Sequence, residues 1–438
     1  MDEPTAKGLT QAVTRAIRDG LLEPGERLPP IREVARELMM SPTTVSAAWG
    51  TLARAGTLVT AGRRGTVVAD VSAPREGRYR RALDRDAAFE TDLSTGVPDA
   101  ALLPSLQQAL RQLTSAGTPA SYLDDPVLPE LGERLAETWP HPAPALTIVD
   151  GAMDALELFI RSQLSFGDRV LVENPTFPPL LDLLEAAGLE VDGVEVDTAG
   201  IVPAELETAL RTPAQAIFVQ PRAHNPTGVS LTTERMQQLE PVLAASDAWI
   251  VEDDSAASIS GSPDLSLGQR FPERTVHVRS YSKSHGPDLR LAALSGPVDL
   301  VAGIEHVRQL GQGWSSRLLQ RVLAYLLGDP GAAEEVAIAR EEYARRRHVV
   351  ASVLAEAGIP TIGSDGLNLW MPVRDEMAAV MRLAARGIAV APGRPFVVGE
   401  PGAPHVRVTT GLVTSRLDEV AALLAEAATT PDGTVPIR

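Results

Sequence analysis

The chain has 438 residues, enough for roughly two to three domains and a substantial buried core. It contains no cysteine, which excludes disulfides, thiolate catalysis and zinc-finger sites, and no metal is expected. No run approaches the ~18 apolar residues of a membrane span, and the Met-Asp-Glu-Pro start lacks both the basic and the apolar part of a signal peptide, so a cytoplasmic protein with no membrane partner is expected.

The net charge of −17 at first argues against a nucleic-acid partner. The average misleads, because residues 1–70 hold nine Lys or Arg against eight Asp or Glu, a net of +1 that leaves −18 for residues 71–438. A nearly neutral small domain binds DNA if its basic groups share one face, as Arg63 and Arg64 would at a turn.

Leu9, Val13, Ala16 and Ile17 recur at helical spacing, and Gly20 follows as a stop signal. Two more helices are predicted over Ile31–Leu38 and Thr43–Ala55, with Ser41 as N-cap of the second and Pro42 at its first position, where a missing N–H costs nothing. The runs Thr57–Thr60 and Gly65–Ala69, joined by Ala-Gly-Arg-Arg, read as a hairpin. Three helices and a hairpin make a winged helix-turn-helix over residues 1–70. Residues 71–90 are poor in apolar positions and hold five arginines between 75 and 85, and are read as a linker.

From 91 to 438 the pattern changes to short β-rich runs alternating with helical ones: Arg169–Glu173, Gln215–Gln220, Trp249–Asp253, Thr275–Ser280 and Leu289–Leu294. Such alternation predicts a mainly parallel sheet covered by helices. From about 330 a long helix and then strand, helix, two strands and a helix predict a smaller α+β lobe.

The most informative stretch is Ser280-Tyr-Ser-Lys283-Ser-His-Gly-Pro-Asp-Leu-Arg290. A lysine amid hydroxyls at a strand end, with an arginine seven residues on, suits a cofactor that carries both an aldehyde and a phosphate: the amine for the carbonyl, the hydroxyls and guanidinium for the phosphate. Gly151-Ala152-Met153 opens a helix directly after a strand and offers backbone N–H groups to a phosphate. Phe177 is placed to stack on a ring, Asn225 follows one predicted strand, and Asp253 ends another. A carboxylate at the end of Trp-Ile-Val is costly to bury without a cationic partner. His224 and His285 are read as loop-forming residues with no catalytic role.

Residues 91 to 425 resemble the fold-type I aminotransferases, enzymes that use pyridoxal 5'-phosphate. The resemblance implies that Lys283 is the Schiff-base lysine, that Asp253 pairs with the pyridine nitrogen, and that Asn225 bonds the ring hydroxyl while Phe177 stacks on the ring. It further implies a phosphate site of Ser280, Ser282, Arg290, Ala152 and Met153, with Tyr122 reaching the phosphate from the other subunit and Arg407 clamping a ligand carboxylate. Where the family usually has a tyrosine after its acidic run, this chain reads Ser255-Ala-Ala-Ser258, and near Tyr122 the usual glycine and Leu-Arg pair are replaced by Val127-Leu128 and Leu131-Gly132.

Residues 8–69 resemble the GntR type of winged helix, on the segments Leu21–Pro29, Ser41–Val45 and Gly62–Thr66. This implies that Thr43, Thr44 and Ser46 reach bases or phosphates in the major groove and that Arg32, Arg63 and Arg64 meet phosphates of double-stranded DNA. Pro42 stands where the family commonly has an arginine. The two halves in this order resemble the MocR subfamily of GntR regulators, which implies a homodimeric transcription regulator whose aminotransferase-like domain senses an amine, an amino acid or pyridoxal phosphate itself through Lys283. The alternative is an active pyridoxal-phosphate-dependent aminotransferase with an appended DNA-binding domain.

Overall fold

Ser41 accepts the Thr44 N–H at 3.0 Å and so caps the helix that begins at Pro42. In this computed structural model, which describes residues 4–54, 57–60, 65–69, 77–83, 89–113, 124–400 and 402–430, that helix is α3 (Pro42–Arg54), preceded by α1 (Ala6–Arg18) and α2 (Ile31–Glu37). Val45, Ala48, Trp49 and Leu52 lie on one face of α3 at intervals of three and four and are all buried, against Leu9 and Val13 of α1 and Val34 of α2. Strands β1 (Leu58–Thr60) and β2 (Thr66–Val68) pair antiparallel, and Arg27 bridges to Val67 on the outer side. The predicted helices and hairpin therefore form within one to three residues of their expected ends; the wing turn with Arg63 and Arg64 lies outside the described residues.

The segment read as a linker holds a short helix, α4 (Arg78–Ala82). Sequence pattern misses it because its support is remote: the Arg78 N–H and guanidinium both reach Asp182, at 3.0 and 2.8 Å, and the Tyr79 ring meets Phe396 edge-on with centroids 5.7 Å apart.

Strand β3 (Thr91–Asp92) opens the large domain, followed by β4 (Ala145–Val149), β5 (Arg169–Asn174), β6 (Glu190–Asp197), β7 (Gly200–Ile201), β8 (Ala216–Val219), β9 (Trp249–Asp254), β10 (Thr275–Ser280) and β11 (Ala292–Gly296). All but β3 form one eight-stranded sheet in the order β4-β11-β10-β9-β8-β5-β6-β7. Strands β10, β9, β8, β5 and β6 run parallel, while β11 is antiparallel to both neighbours and β7 to β6.

Successive residues of these strands enter different cores. Val170, Val172, Phe218 and Val251 pack on one face, under helices that include α7 (Ala152–Gln163) and α8 (Pro178–Ala186). Leu171, Ile217 and Ile250 pack on the other. Burial on both faces explains why the strands read as continuous apolar runs rather than alternating ones. Two further helices, α5 (Leu106–Gln112) and α6 (Pro129–Thr138), precede β4.

The predicted strand from Leu289 starts instead at Ala292, because Pro287–Leu289 forms a single helical turn and Arg290 takes a left-handed backbone (φ 48°). After the long helix Pro330–Glu356, strands β12 (Asn368–Pro372), β13 (Ile388–Ala389), β14 (Ala391–Pro392) and β15 (His405–Thr409) build the smaller lobe. The order β12-β15-β14 forms its sheet. This lobe also recruits β3, which pairs parallel with β13, and Leu93, which is buried in the lobe's core. The N-terminal domain touches the large domain through Phe166, packed on its core, and a Lys7–Asp168 ion pair of 3.0 Å. Among the described residues no helix is long and apolar enough to cross a membrane.

Candidate functional site

The C-terminal ends of β5, β8, β9 and β10 converge at one edge of the sheet, the usual ligand position of such folds. There Phe177, Asn225, Asp253 and Lys283 line one small cavity with Gln220, Ser255, Gly366 and Asn368. Lys283 follows β10, and its amine donates to the Gly96 carbonyl at 2.9 Å. Burial, helped by the charge of Arg407 and opposed by Asp253, lowers the Lys283 pKa to about 8.

Asp253, near the end of β9, is buried, and this raises its pKa to about 6 even though the Ser255 hydroxyl donates to it. A cationic ring nitrogen beside it would reverse that rise. The neighbouring Asp254 is committed elsewhere, to Arg222, which holds its pKa below the ordinary value. Buried Glu173 accepts the Gln220 N–H at 2.7 Å, and burial pushes its pKa up to about 8, so it carries a proton at neutral pH.

The Asn225 side-chain oxygen accepts from Arg407 Nη1 at 3.2 Å and from Asn368 Nδ2 at 3.5 Å. Both acceptor positions being engaged, its amide N–H groups are left for a ligand oxygen. Gln220 orients the Asn225 backbone by accepting its N–H at 3.0 Å.

Gly151 precedes α7 with φ 104° and ψ 167°, a conformation open in practice only to glycine. The Arg290 guanidinium donates to the Asp150 carbonyl at 3.2 Å, and a Cβ added at 151 would lie 3.0 Å from Arg290 Nη2. The Ser280 and Ser282 hydroxyls lie 3.0 Å apart. Ala152 and Met153 form the first turn of α7, so a helix N-terminus lies beside a guanidinium with no carboxylate partner among the described residues, a pair of groups suited to an anion. The donors fit pyridoxal 5'-phosphate: an amine, a buried acid for the ring nitrogen, free amide hydrogens for the ring hydroxyl, a ring face and a phosphate cradle.

A Gly151→Ala substitution is expected to weaken pyridoxal phosphate binding by at least about tenfold, through backbone strain of roughly 1–3 kcal/mol and displacement of Arg290. Titration of the apoprotein followed by cofactor absorbance measures it. The lowered pKa of Lys283 carries a second expectation. Only the neutral amine attacks an aldehyde, so the rate of cofactor attachment rises with pH through about 8 and levels above it, instead of rising toward the ordinary lysine value of 10.5. Stopped-flow absorbance of apoprotein mixed with pyridoxal phosphate reads this directly.

Arg407 on β15 is buried and donates to the Tyr79 hydroxyl and the Ser94 carbonyl as well as to Asn225. Sequence reasoning found Arg407 but not Tyr79, Ser94, Gly96, Gln220 or Asn368, which come from elements far apart in the chain. A lone aromatic in an arginine-rich linker was the one available signal, for Tyr79. Tyr122 lies outside the described residues.

In the N-terminal domain, Thr43 and Ser46 are exposed and Thr44 is half-buried at the start of α3, while Arg32 is exposed near the start of α2. The Ser41 hydroxyl contacts those of Thr43 and Thr44 at 2.6 and 2.7 Å.

The aminotransferase class I and II family matches residues 90–424, and the bacterial regulatory proteins of the gntR family match residues 5–68. The chain is 35% identical over 408 residues to the vitamin B6 salvage pathway transcriptional repressor PtsJ of Salmonella typhimurium, covering 92% of this chain and 93% of that one. The protein is a member of the MocR subfamily of GntR-type transcription regulators. It is also 30% identical over 434 residues to the regulator TauR of Rhodobacter capsulatus, covering 89% and 88% of the two chains. The large domain shares its fold with a multiple substrate aminotransferase from Thermococcus profundus, at a TM-score of 0.73 and 20% identity over 81% of this chain and 95% of that one. As a member of this subfamily it joins a DNA-binding domain to a pyridoxal-phosphate-binding domain of aminotransferase fold.

Proposed function

We propose that this regulator measures pyridoxal 5'-phosphate, using occupancy of the Lys283 site as the signal that alters its grip on double-stranded DNA. The observation that carries this reading is a buried amine of lowered pKa in a chain whose Arg290 guanidinium, beside the N-terminus of α7, has no carboxylate partner among the described residues. The similarity to a relative whose name places it in vitamin B6 salvage points the same way.

When bound, the cofactor supplies an aldehyde able to join a primary amine. Lys283 provides that amine, and Asp253 holds the ring nitrogen while Asn225 donates to the ring hydroxyl. Phe177 covers the ring face. Arg290, Ser280, Ser282 and the N–H groups of Ala152 and Met153 hold the phosphate, with Tyr122 of a partner copy in a homodimer. On the DNA side, Thr43, Thr44 and Ser46 read the major groove at the start of α3, and Arg32, Arg63 and Arg64 contact phosphates. A cytoplasmic location accords with this role.

Ser255 favours holding over turnover. It opens the Ser255-Ala-Ala-Ser258 run that stands where the family usually has a tyrosine, and its own hydroxyl is spent on Asp253. Steady conversion of an amino acid with 2-oxoglutarate by the purified protein would instead support the aminotransferase reading.

The test is the affinity of the protein for its own upstream DNA with and without pyridoxal phosphate, no amine being added. A change of about fivefold or more is expected, the lower end of ordinary allosteric coupling. Equal affinities, or a change that needs an added amine, would overturn the reading.

A further inference from the structure

A guanidinium offers a carboxylate two forked edges, one formed by Nε with Nη2 and one by Nη1 with Nη2, so Nη2 belongs to both. In Arg407 both Nη2 hydrogens are taken, one by the Tyr79 hydroxyl and one by the Ser94 carbonyl. Nη1 is bonded to Asn225, and buried Nε has no hydrogen-bond partner among the described residues. Neither edge can close on a carboxylate while Tyr79 is in place.

Tyr79 is the exchangeable member of this arrangement. Its hydroxyl donates to the Ser94 carbonyl and turns an oxygen lone pair to Nη2, and burial raises its pKa, so it is held as a neutral phenol. Its ring lies against the guanidinium, 5.3 Å from the centroid, and against Phe396. Tyr79 belongs to α4, in the segment that joins the DNA-binding domain to the large domain, and α4 is otherwise fixed to α8 by the ion pairs of Arg78 with Asp182 and Glu185.

We propose that Tyr79 is an internal ligand of Arg407 and determines which small molecules the Lys283 site accepts. A carboxylate-bearing amine must evict the phenol and with it loosen α4; an amine without a carboxylate leaves both in place. The exclusion is reciprocal: whatever holds α4 down weakens carboxylate binding by the same factor. The proposal rests on the reading that the site binds pyridoxal phosphate.

The experiment titrates the cofactor-loaded wild type and Tyr79→Phe with L-alanine and with ethylamine, which is alanine without its carboxylate, and follows the absorbance of the bound cofactor. Phenylalanine keeps the ring packing on Phe396 and removes only the hydroxyl. The expected result is an apparent affinity for alanine about tenfold higher in Tyr79→Phe, with that for ethylamine changed by less than about twofold. Limited trypsin digestion gives a second readout: in the wild type, saturating alanine speeds cleavage after Arg80 and Arg81, and ethylamine does not. A cofactor band that responds equally to both amines in both proteins, or cleavage indifferent to alanine, overturns the inference alone. Absence of any cofactor band in the loaded wild type overturns the pyridoxal phosphate reading and the inference with it.

Discussion

Replacing Lys283 with alanine is expected to abolish the absorbance band of covalently held pyridoxal phosphate and to leave the far-ultraviolet circular dichroism of the protein unchanged. In the wild type, borohydride should fix the cofactor to the peptide that contains Lys283; in Lys283→Ala it should fix nothing. The expectation follows from the geometry around the amine. Lys283 lies beside the buried carboxylate of Asp253 and donates to the Gly96 carbonyl, and burial with the Arg407 charge holds its pKa near 8. It therefore keeps a usable neutral fraction at physiological pH, about a tenth at pH 7, where an ordinary lysine has almost none. Alanine removes a group whose one hydrogen bond among the described residues is to the Gly96 backbone carbonyl, so the fold loses little. Unchanged spectra in the two proteins would remove Lys283 from the site.

The fold was legible in the sequence wherever local pattern and long-range packing agreed. In α3 the burial of Val45, Ala48, Trp49 and Leu52 follows the helical spacing, and the parallel strands follow their apolar runs because both faces of the sheet are covered. The residues that line the cavity were legible for a related reason. Asn225, Asp253 and Lys283 each follow or close a strand, so one rule about strand ends places all of them at one edge. Three features were not legible. Helix α4 depends on Asp182 and Phe396, more than a hundred positions away, and no local pattern announces a helix held by such partners. Strand β3 is two residues long and pairs with β13 from the far end of the chain, so the small lobe draws on both ends of the large domain. The backbone of Arg290 was read as strand, whereas its left-handed turn is what carries the guanidinium over Gly151.

Deleting residues 1–70 is expected to eliminate DNA binding and to leave cofactor absorbance intact. Charge makes this outcome sharper than the loss of a recognition helix alone. The part that remains carries −18, and such a body is repelled by phosphate at every distance that salt does not screen. The nearly neutral N-terminal domain must therefore supply attraction from a local face, and Arg32 is exposed near the start of α2. Each phosphate neutralised contributes about −0.9 to the slope of log affinity against log salt, so Arg32, Arg63 and Arg64 together give about −2.7 per bound copy. Arg32→Gln should reduce that slope by about 1 and weaken binding to all sequences alike. Thr43→Ala and Ser46→Ala should leave the slope unchanged and lower the preference for the native operator, because these side chains are uncharged and, on the proposed function, stand where α3 would enter a groove. Gel-shift titrations at several salt concentrations separate the two classes of effect. DNA binding that persists in the deleted protein would place the interface on the large domain, against its charge.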